Sequence, residues 1–280
     1  MQTIHANELL AGLTLAEPVP VTAVVTDSRK VQPGCVFVCF AGERVDGHDF
    51  AAAAYQNGAA YIVANHPVPG VPENRTVLVQ DSALAMVRMA SNYRMLFSPR
   101  MIGVTGSVGK TTTREMIAAV VKSKYKTLKT ENNLNNEVGV PKTILELDPS
   151  VEAMVLEFGM VWPGEIRELT VPARPDIAVI TCIGTCHIEN LGSRENIKKA
   201  KLEIVEGLKK GGTLIQVMTY ATIFLRQLSH KFVNRLKMPY VHLTQRPSKE
   251  IAYHNTGCFR KRALQIIKIQ SCQDIKTVQI

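Results

Sequence analysis

Gly103-Val104-Thr105-Gly106-Ser107-Val108-Gly109-Lys110-Thr111-Thr112 is the stretch that decides the fold of this 280-residue chain. The apolar run Met101-Ile102-Gly103-Val104 suits a buried strand leading in. Beyond it, Met116, Ile117, Val120 and Val121 recur at helical spacing, which predicts a helix over residues 112–122. In a strand–glycine loop–helix unit, backbone N–H groups close around phosphate oxygens, and the helix N-terminus adds partial positive charge. On this reading Thr105, Gly106, Ser107, Gly109, Lys110, Thr111 and Thr112 form the cradle. The Lys110 ammonium reaches the outer phosphates of a nucleoside triphosphate, and the Thr111 hydroxyl holds Mg²⁺. The spacing departs from the common form. Val104 stands five residues before the Gly-Lys pair, where glycine is usual, and the glycines fall at 103, 106 and 109.

A second string follows: Thr130-Glu131-Asn132-Asn133-Leu134-Asn135-Asn136-Glu137-Val138-Gly139-Val140-Pro141. Four asparagines in five positions do not belong in a core. Read alone they fit a polar turn. Taken together, the two strings resemble the Mur ligases, ATP-dependent amide-forming enzymes of peptidoglycan precursor synthesis. That family carries a Thr-Gly-x-x-Gly-Lys-Thr/Ser loop and an Asn-x-Asn-Asn-x-x-Gly-x-Pro segment. Its second segment usually opens with glycine, where this chain has Asn132. The likeness is nearest to the member that joins D-alanyl-D-alanine to UDP-N-acetylmuramoyl-tripeptide. The N-terminal strings agree: Thr26-Asp27-Ser28-Arg29-Lys30, Pro33-Gly34-Cys35-Val36-Phe37-Val38 and Gly42-Glu43-Arg44-Val45-Asp46-Gly47-His48-Asp49-Phe50. They resemble the family's first domain, which holds the UDP end of the nucleotide sugar. Ser28, Arg29 and Lys30 offer hydroxyl and cationic donors to a diphosphate, and Asp46-Gly47 suits a tight turn. Without the resemblance, residues 27–30 read as an ordinary polar strand end.

Three further residues enter the chemistry. Ala153-Met154-Val155-Leu156-Glu157 reads as a buried strand ending in a carboxylate. Ligands of open α/β sheets sit beyond such strand ends. His187 follows the apolar run Ile177-Ala178-Val179-Ile180. An isolated histidine or a strand-end glutamate has many ordinary uses. The resemblance implies that Glu157 and His187 are Mg²⁺ ligands. Lys201 falls among Ile197, Ala200, Ile204, Val205 and Leu208 on the apolar stripe of a helix expected over residues 194–209. Lys199, Glu203, Glu206 and Lys210 lie opposite. A lysine facing a core is costly unless paired or modified, although its stem can also carry the charge out to water. In the family, the lysine of Ala-Lys-x-Glu-Ile is carbamylated and helps to position Mg²⁺. Ala200-Lys201-Leu202-Glu203-Ile204 matches that string.

The implied reaction is phosphoryl transfer from ATP to the tripeptide carboxylate, then acyl transfer to the dipeptide amine. Lys110, His187 and carbamylated Lys201 are the implied catalytic groups. Thr111, Glu157, His187 and Lys201 would set the metal, and Asn133, Asn135 and Asn136 would line the triphosphate. A sister Mur ligase or a folylpolyglutamate-type ligase would use the same site. A non-catalytic nucleotide-binding remnant would keep the contacts without turnover.

Apolar residues make up 46% of the chain, as in ordinary globular proteins. No apolar run reaches the ~18 residues of a membrane span, and no basic-then-apolar leader opens the chain. A cytoplasmic monomer with no membrane insertion is expected. Six cysteines, at 35, 39, 182, 186, 258 and 272, form no Cys-x-x-Cys pair, so free buried thiols are expected. The net charge of +9 lies entirely in residues 216–280, with eleven basic residues against Glu250 and Asp274. Such a tail could meet nucleic acid or anionic lipid. Only Arg260-Lys261-Arg262 is clustered and no nucleic-acid motif is present, so no nucleic-acid partner is expected.

The fold class is therefore α/β. A small N-terminal α/β domain (1–82) binds the UDP-sugar, and an incomplete parallel-sheet P-loop ATPase domain (83–215) binds ATP. A basic tail (216–280) follows. The linker is expected at Gln80-Asp81-Ser82, before a helix over residues 83–97. The resemblance is expected to stop at Ile215, leaving the family's third domain missing, with a tail helix near residues 220–236.

Overall fold

The computed structural model describes residues 1–42, 45–216, 271–272 and 275–279, which form two larger, mainly parallel sheets and a small two-stranded one. The chain opens with β1 (Ile4–His5), α1 (Ala6–Leu9) and β2 (Pro20–Val21), β1 and β2 pairing antiparallel. β3 (Ala23–Val25), β4 (Cys35–Val38), α2 (Ala51–Gln56), β5 (Tyr61–Ala64) and β6 (Thr76–Leu78) follow. Their four strands run parallel in sequential order. Every residue of β4 and β5 is buried. That explains their unbroken apolar sequence, since parallel strands are covered on both faces.

α3 (Ser82–Arg94) links the two large sheets. Asp81 caps it, its carboxylate accepting from the Ala83 and Leu84 N–H groups at 2.7 and 3.0 Å. The helix ends three residues short of expectation. Its last turn tightens to i→i+3 bonds, Leu96 N–H to Tyr93 O and Phe97 N–H to Arg94 O, before Pro99 stops it. α3 packs on α1 and on two helices of the second sheet, so Met86, Met89 and Tyr93 belong to a core shared by both halves.

The second half comprises β7 (Arg100–Thr105), α4 (Lys110–Lys122), β8 (Thr127–Lys129), α5 (Gly139–Leu145), β9 (Ala153–Glu157), α6 (Glu165–Ala173) and β10 (Ile177–Ile180). It continues through α7 (Ile188–Leu191), α8 (Arg194–Leu202) and β11 (Thr213–Gln216) to β12 (Ser271–Cys272) and β13 (Ile275–Gln279). The strand order is β12-β13-β11-β10-β7-β9-β8. All neighbours are parallel except β12 and β13. The chain builds β8 and β9 on one side of β7, then crosses to β10 on the other. β7 therefore stands at the switch point, where a crevice opens beyond the strand ends. Val104 is level with Glu157, and Thr105 with Ile180.

One expectation changes. The helix over 194–209 stops at Leu202 and tightens into a 3₁₀ turn, Glu203–Val205. That turn rotates Glu203 inward rather than to the exposed side. Its carboxylate accepts from the N–H groups of Gly164 and Arg167, at the N-terminus of α6. The region beyond Ile215 also adds sheet, since β13 pairs with β11 from Thr213↔Lys276 to Gln216↔Gln279. The tail helix expected near residues 220–236 lies outside the described residues.

The buried Tyr93 hydroxyl donates to Leu147 O and accepts from Gln2 N–H, both at 2.6 Å. Tyr93→Phe leaves a buried carbonyl without its donor. We expect a loss of about 1–3 kcal/mol, read as a lower urea midpoint with an unchanged slope.

Candidate active site

The glycine loop is anchored to its neighbours by its own polar groups. Thr105 Oγ1 donates to Phe158 O at 2.9 Å. Ser107 N–H donates to Cys182 O at 2.9 Å, and Ser107 Oγ accepts from Gly184 N–H at 2.9 Å. Thr181 Oγ1 donates to Val108 O at 2.6 Å. Thr105 and Ser107 thus fix the loop's shape. Gly109, in the left-handed region at φ 81°, leads into α4, where Thr111 and Thr112 are exposed in the first turn. The Lys110 ammonium folds back onto Gly106 O at 3.1 Å. A Cβ on Gly106 would stand 1.9 Å from Thr181 Oγ1, so only glycine lets the β10 loop come this close.

Glu157, 1% exposed, ends β9 beside this loop. One oxygen accepts from Asn135 Nδ2 at 2.8 Å and the other from Arg114 Nη1 at 3.2 Å. Sequence reasoning missed Arg114. It is itself 2% exposed and also donates to Asn132 O at 2.8 Å. Its signal was the one used for Lys201, a charged residue on the buried stripe Thr113, Arg114, Ile117, Ala118, Val121. The asparagines separate into distinct tasks. Asn132 adopts φ 48°, which explains why glycine and asparagine can exchange there. Asn133 is exposed, Asn135 orients Glu157, and Asn136 Oδ1 accepts from Gly139 N–H at 2.9 Å, at the start of α5.

Lys201 is 2% exposed on α8 and forms no hydrogen bond or ion pair with any described residue. Burial, and then the nearby Lys110 charge, push its amine down to about 8. His187 sits at φ 62° ahead of α7, half-buried, on the loop after β10. Of the expected free thiols, Cys35 and Cys39 are buried. Burial, with the Asp46 charge, pushes Cys39 up to about 12. Cys186 is exposed instead, because the β10–α7 loop carries it out of the sheet.

Oxygen donors suit Mg²⁺. Glu157 keeps free lone pairs, and Thr111 is open to the crevice. A protonated Lys201 would repel a cation, whereas its carbamate would supply oxygens to one. The donor set therefore fits Mg²⁺ with a modified lysine.

The N-terminal candidates lie at the C-terminal ends of β3 and β4. Ser28, Arg29 and Lys30 form a 3₁₀ turn capped by Asp27. Asp27 also grips the exposed Arg29 guanidinium through both oxygens, at 2.9 and 2.8 Å, which holds its own carboxyl down at about 2. Asp46 caps the turn Gly47–Phe50, accepting from His48 N–H and Nδ1 at 2.9 and 2.6 Å. A Cβ on Gly47 would meet Phe40 N at 2.9 Å. His48 Nε2 accepts from Asn65 N–H at 3.1 Å, so neither ring nitrogen is free for a metal. Lys142 of α5, also missed, is half-buried. Burial, and then the charge of Lys30, lower its pKa. The Ser28–Lys30 turn thus faces the second half of the chain.

A glycine loop at the switch point of a parallel sheet defines a P-loop α/β protein. The Mur ligase middle domain model matches residues 104–261, and the Mur ligase family, catalytic domain model matches residues 20–94. The chain belongs to the Mur ligase family. The first match runs past Ile215 to residue 261, whereas a Bacillus subtilis relative aligns over 215 residues. A whole-domain profile reads substitution patterns that short motifs do not carry. Among its relatives is the UDP-N-acetylmuramoyl-tripeptide--D-alanyl-D-alanine ligase of Bacillus subtilis, 45% identical over 75% of this chain and 47% of that protein. The Escherichia coli ligase of the same name is 38% identical over 75% and 46%. The chain spans about half the length of the curated relatives it matches. MurF from Acinetobacter baumannii superposes with TM-score 0.70 at 29% identity, covering 82% of this chain and 52% of that one. MurF from Thermotoga maritima in complex with ADP gives 0.65 at 38%, covering 74% and 48%.

Gly106→Ala should force the loop away from Thr181. We expect ADP affinity, measured by calorimetry, to fall about ten- to a hundredfold, the equivalent of ~1–3 kcal/mol of overpacking.

Proposed function

We propose that the chain is the ATP- and nucleotide-binding part of a ligase that adds D-alanyl-D-alanine to UDP-N-acetylmuramoyl-tripeptide. The observation that carries this reading is the buried Lys201, near enough to Lys110 of the glycine loop to feel its charge, with buried Glu157 ending the strand beside β7. Residues 1–82 would hold the UDP-sugar through Ser28, Arg29, Lys30, Asp46 and Gly47. Residues 83–215 would hold ATP through Thr105–Thr112 with Asn133, Asn135 and Asn136. A cytoplasmic monomer is the state proposed. No helix among the described residues is long and apolar enough to cross a membrane.

The tripeptide carboxylate would attack the γ-phosphorus of ATP and release ADP. The dipeptide amine would then attack the acyl carbon, lose its proton and expel phosphate. The loop N–H groups and Lys110 would orient the phosphates and offset their charge. Thr111, Glu157, His187 and carbamylated Lys201 would hold Mg²⁺, which when bound neutralises the phosphate oxygens and templates the transfer. Asn135 would keep the Glu157 carboxylate aimed. Lys201 is prepared for carbamylation because a neutral amine attacks CO₂, and a pKa near 8 leaves about a tenth of it neutral at pH 7.

The test is phosphate release with ATP, Mg²⁺ and UDP-N-acetylmuramoyl-tripeptide, with and without D-alanyl-D-alanine. Dipeptide-dependent release with product of the correct mass supports the ligase. Nucleotide binding without such release would overturn it in favour of a binding unit alone. The modification has its own readout. At fixed dissolved CO₂, ¹³C-carbamate formation should rise about tenfold per pH unit below 8 and level off above it, as the amine loses its proton. Lys201→Ala should abolish the signal.

A further inference from the structure

We propose that Arg114 is a positioning residue that carries the counter-charge of Glu157 whenever no divalent cation is bound, and so sets how tightly the site takes one. The inference rests on the reading of Glu157 as a cation ligand.

The two side chains are 3% and 2% exposed and meet at 3.2 Å, so bulk solvent screens neither charge well. Glu157 alone would be a buried, uncompensated carboxylate, a strongly destabilising state. Arg114 prevents this from a fixed position. Its Nη1 bridges Glu157 and Asn132 O, while Nε and Nη2 both donate to Glu115 Oε1, at 3.1 and 2.6 Å. Glu115 is held in turn by Lys129 at 2.8 Å. The guanidinium therefore ties the phosphate-loop helix, the asparagine segment and the end of β9 to one another. It reaches Glu157 through one oxygen, while Asn135, a neutral donor, holds the other. A cation arriving at this carboxylate meets a charge already half spent, and it is repelled by the guanidinium behind it. The fixed positive group thus weakens cation affinity, while it keeps the empty site folded and the carboxylate aimed.

Substitution separates this role from a purely structural one. In R114Q the amide keeps donors but loses the charge. Mn²⁺ titrated with ADP present and followed by electron paramagnetic resonance should bind about tenfold more tightly. The melting temperature without cation should fall, and Mg²⁺ should restore more of it than it adds to the wild-type chain. R114K keeps the charge and should hold the wild-type cation affinity even where it melts lower. If R114Q is too unstable to handle, the double variant R114Q/E157Q should melt higher than R114Q alone, since no charge is then left buried. Equal cation affinity and equal Mg²⁺-induced melting shifts in R114Q and wild type overturn the inference. E157Q distinguishes the two levels of failure. A wild-type cation response in E157Q means that Glu157 does not hold the cation, and the underlying reading falls. A response lost in E157Q but unchanged in R114Q removes only the role given to Arg114.

Discussion

Close approach of the β10 loop to the glycine loop is the constraint on which the rest of the site depends. Parallel strands end level with one another, but their following loops would normally diverge. Here Gly106 has no Cβ, so Thr181 and Cys182 close onto Val108 and Ser107 with direct hydrogen bonds. The loop that follows β10 carries His187 and leads to α8, so the same contact fixes where both His187 and Lys201 can stand. On the other flank, Thr105 bonds Phe158 O and so fixes the end of β9 beside Glu157. The phosphate cradle is therefore the place where three strands and two connecting segments are locked together. Its glycines serve that packing as well as ligand access.

A buried charge needs a partner, and the three buried ionic residues of the crevice meet that need differently. Glu157 and Arg114 satisfy each other. Lys201 has no partner among the described residues, and burial pushes its amine toward neutrality. A neutral amine at the edge of an ATP site is reactive, whereas a paired lysine would be inert. The distinction between structural ion pairs and prepared chemistry lies in which of these side chains is left without a counter-charge.

Much of this was legible in the sequence because it depends on spacing. The strand–loop–helix unit, the carboxylate ending β9 and the inward face of Lys201 all follow from periodicity and glycine placement, and the structure reproduces each. What escaped depends on contacts between distant segments. Arg114 was visible as a charge on a buried stripe, but two of its partners, Asn132 and Glu157, lie 18 and 43 residues away. Glu203 was misplaced because the helix tightens after Leu202, a change driven by the demand of α6 for a carboxylate at its N-terminus rather than by local propensity. Lys142 gave no periodic signal, since its environment comes from the Ser28–Lys30 turn of the other sheet. The asparagine segment showed its composition but not its division of labour, because Asn135 and Asn136 differ only in what each side chain reaches, the Glu157 carboxylate or the Gly139 N–H.

The charge arrangement also bears on the order in which ligands can assemble. Lys110 and Lys201 are close enough for one to depress the other's pKa, and Arg114 and Glu157 cancel. The unmodified crevice is thus net positive and suited to a polyphosphate, yet hostile to a free divalent cation. Carbamylation at Lys201 would replace one positive charge with a negative one and reverse that preference at the metal position, without moving any backbone. Lys110 would remain the cation facing the phosphates, and the new anion would face the metal. One modification of one buried amine would thus turn a site for anions alone into a site for a nucleotide–metal pair, and the burial that shifts Lys201 toward its neutral, nucleophilic form is what would open that route.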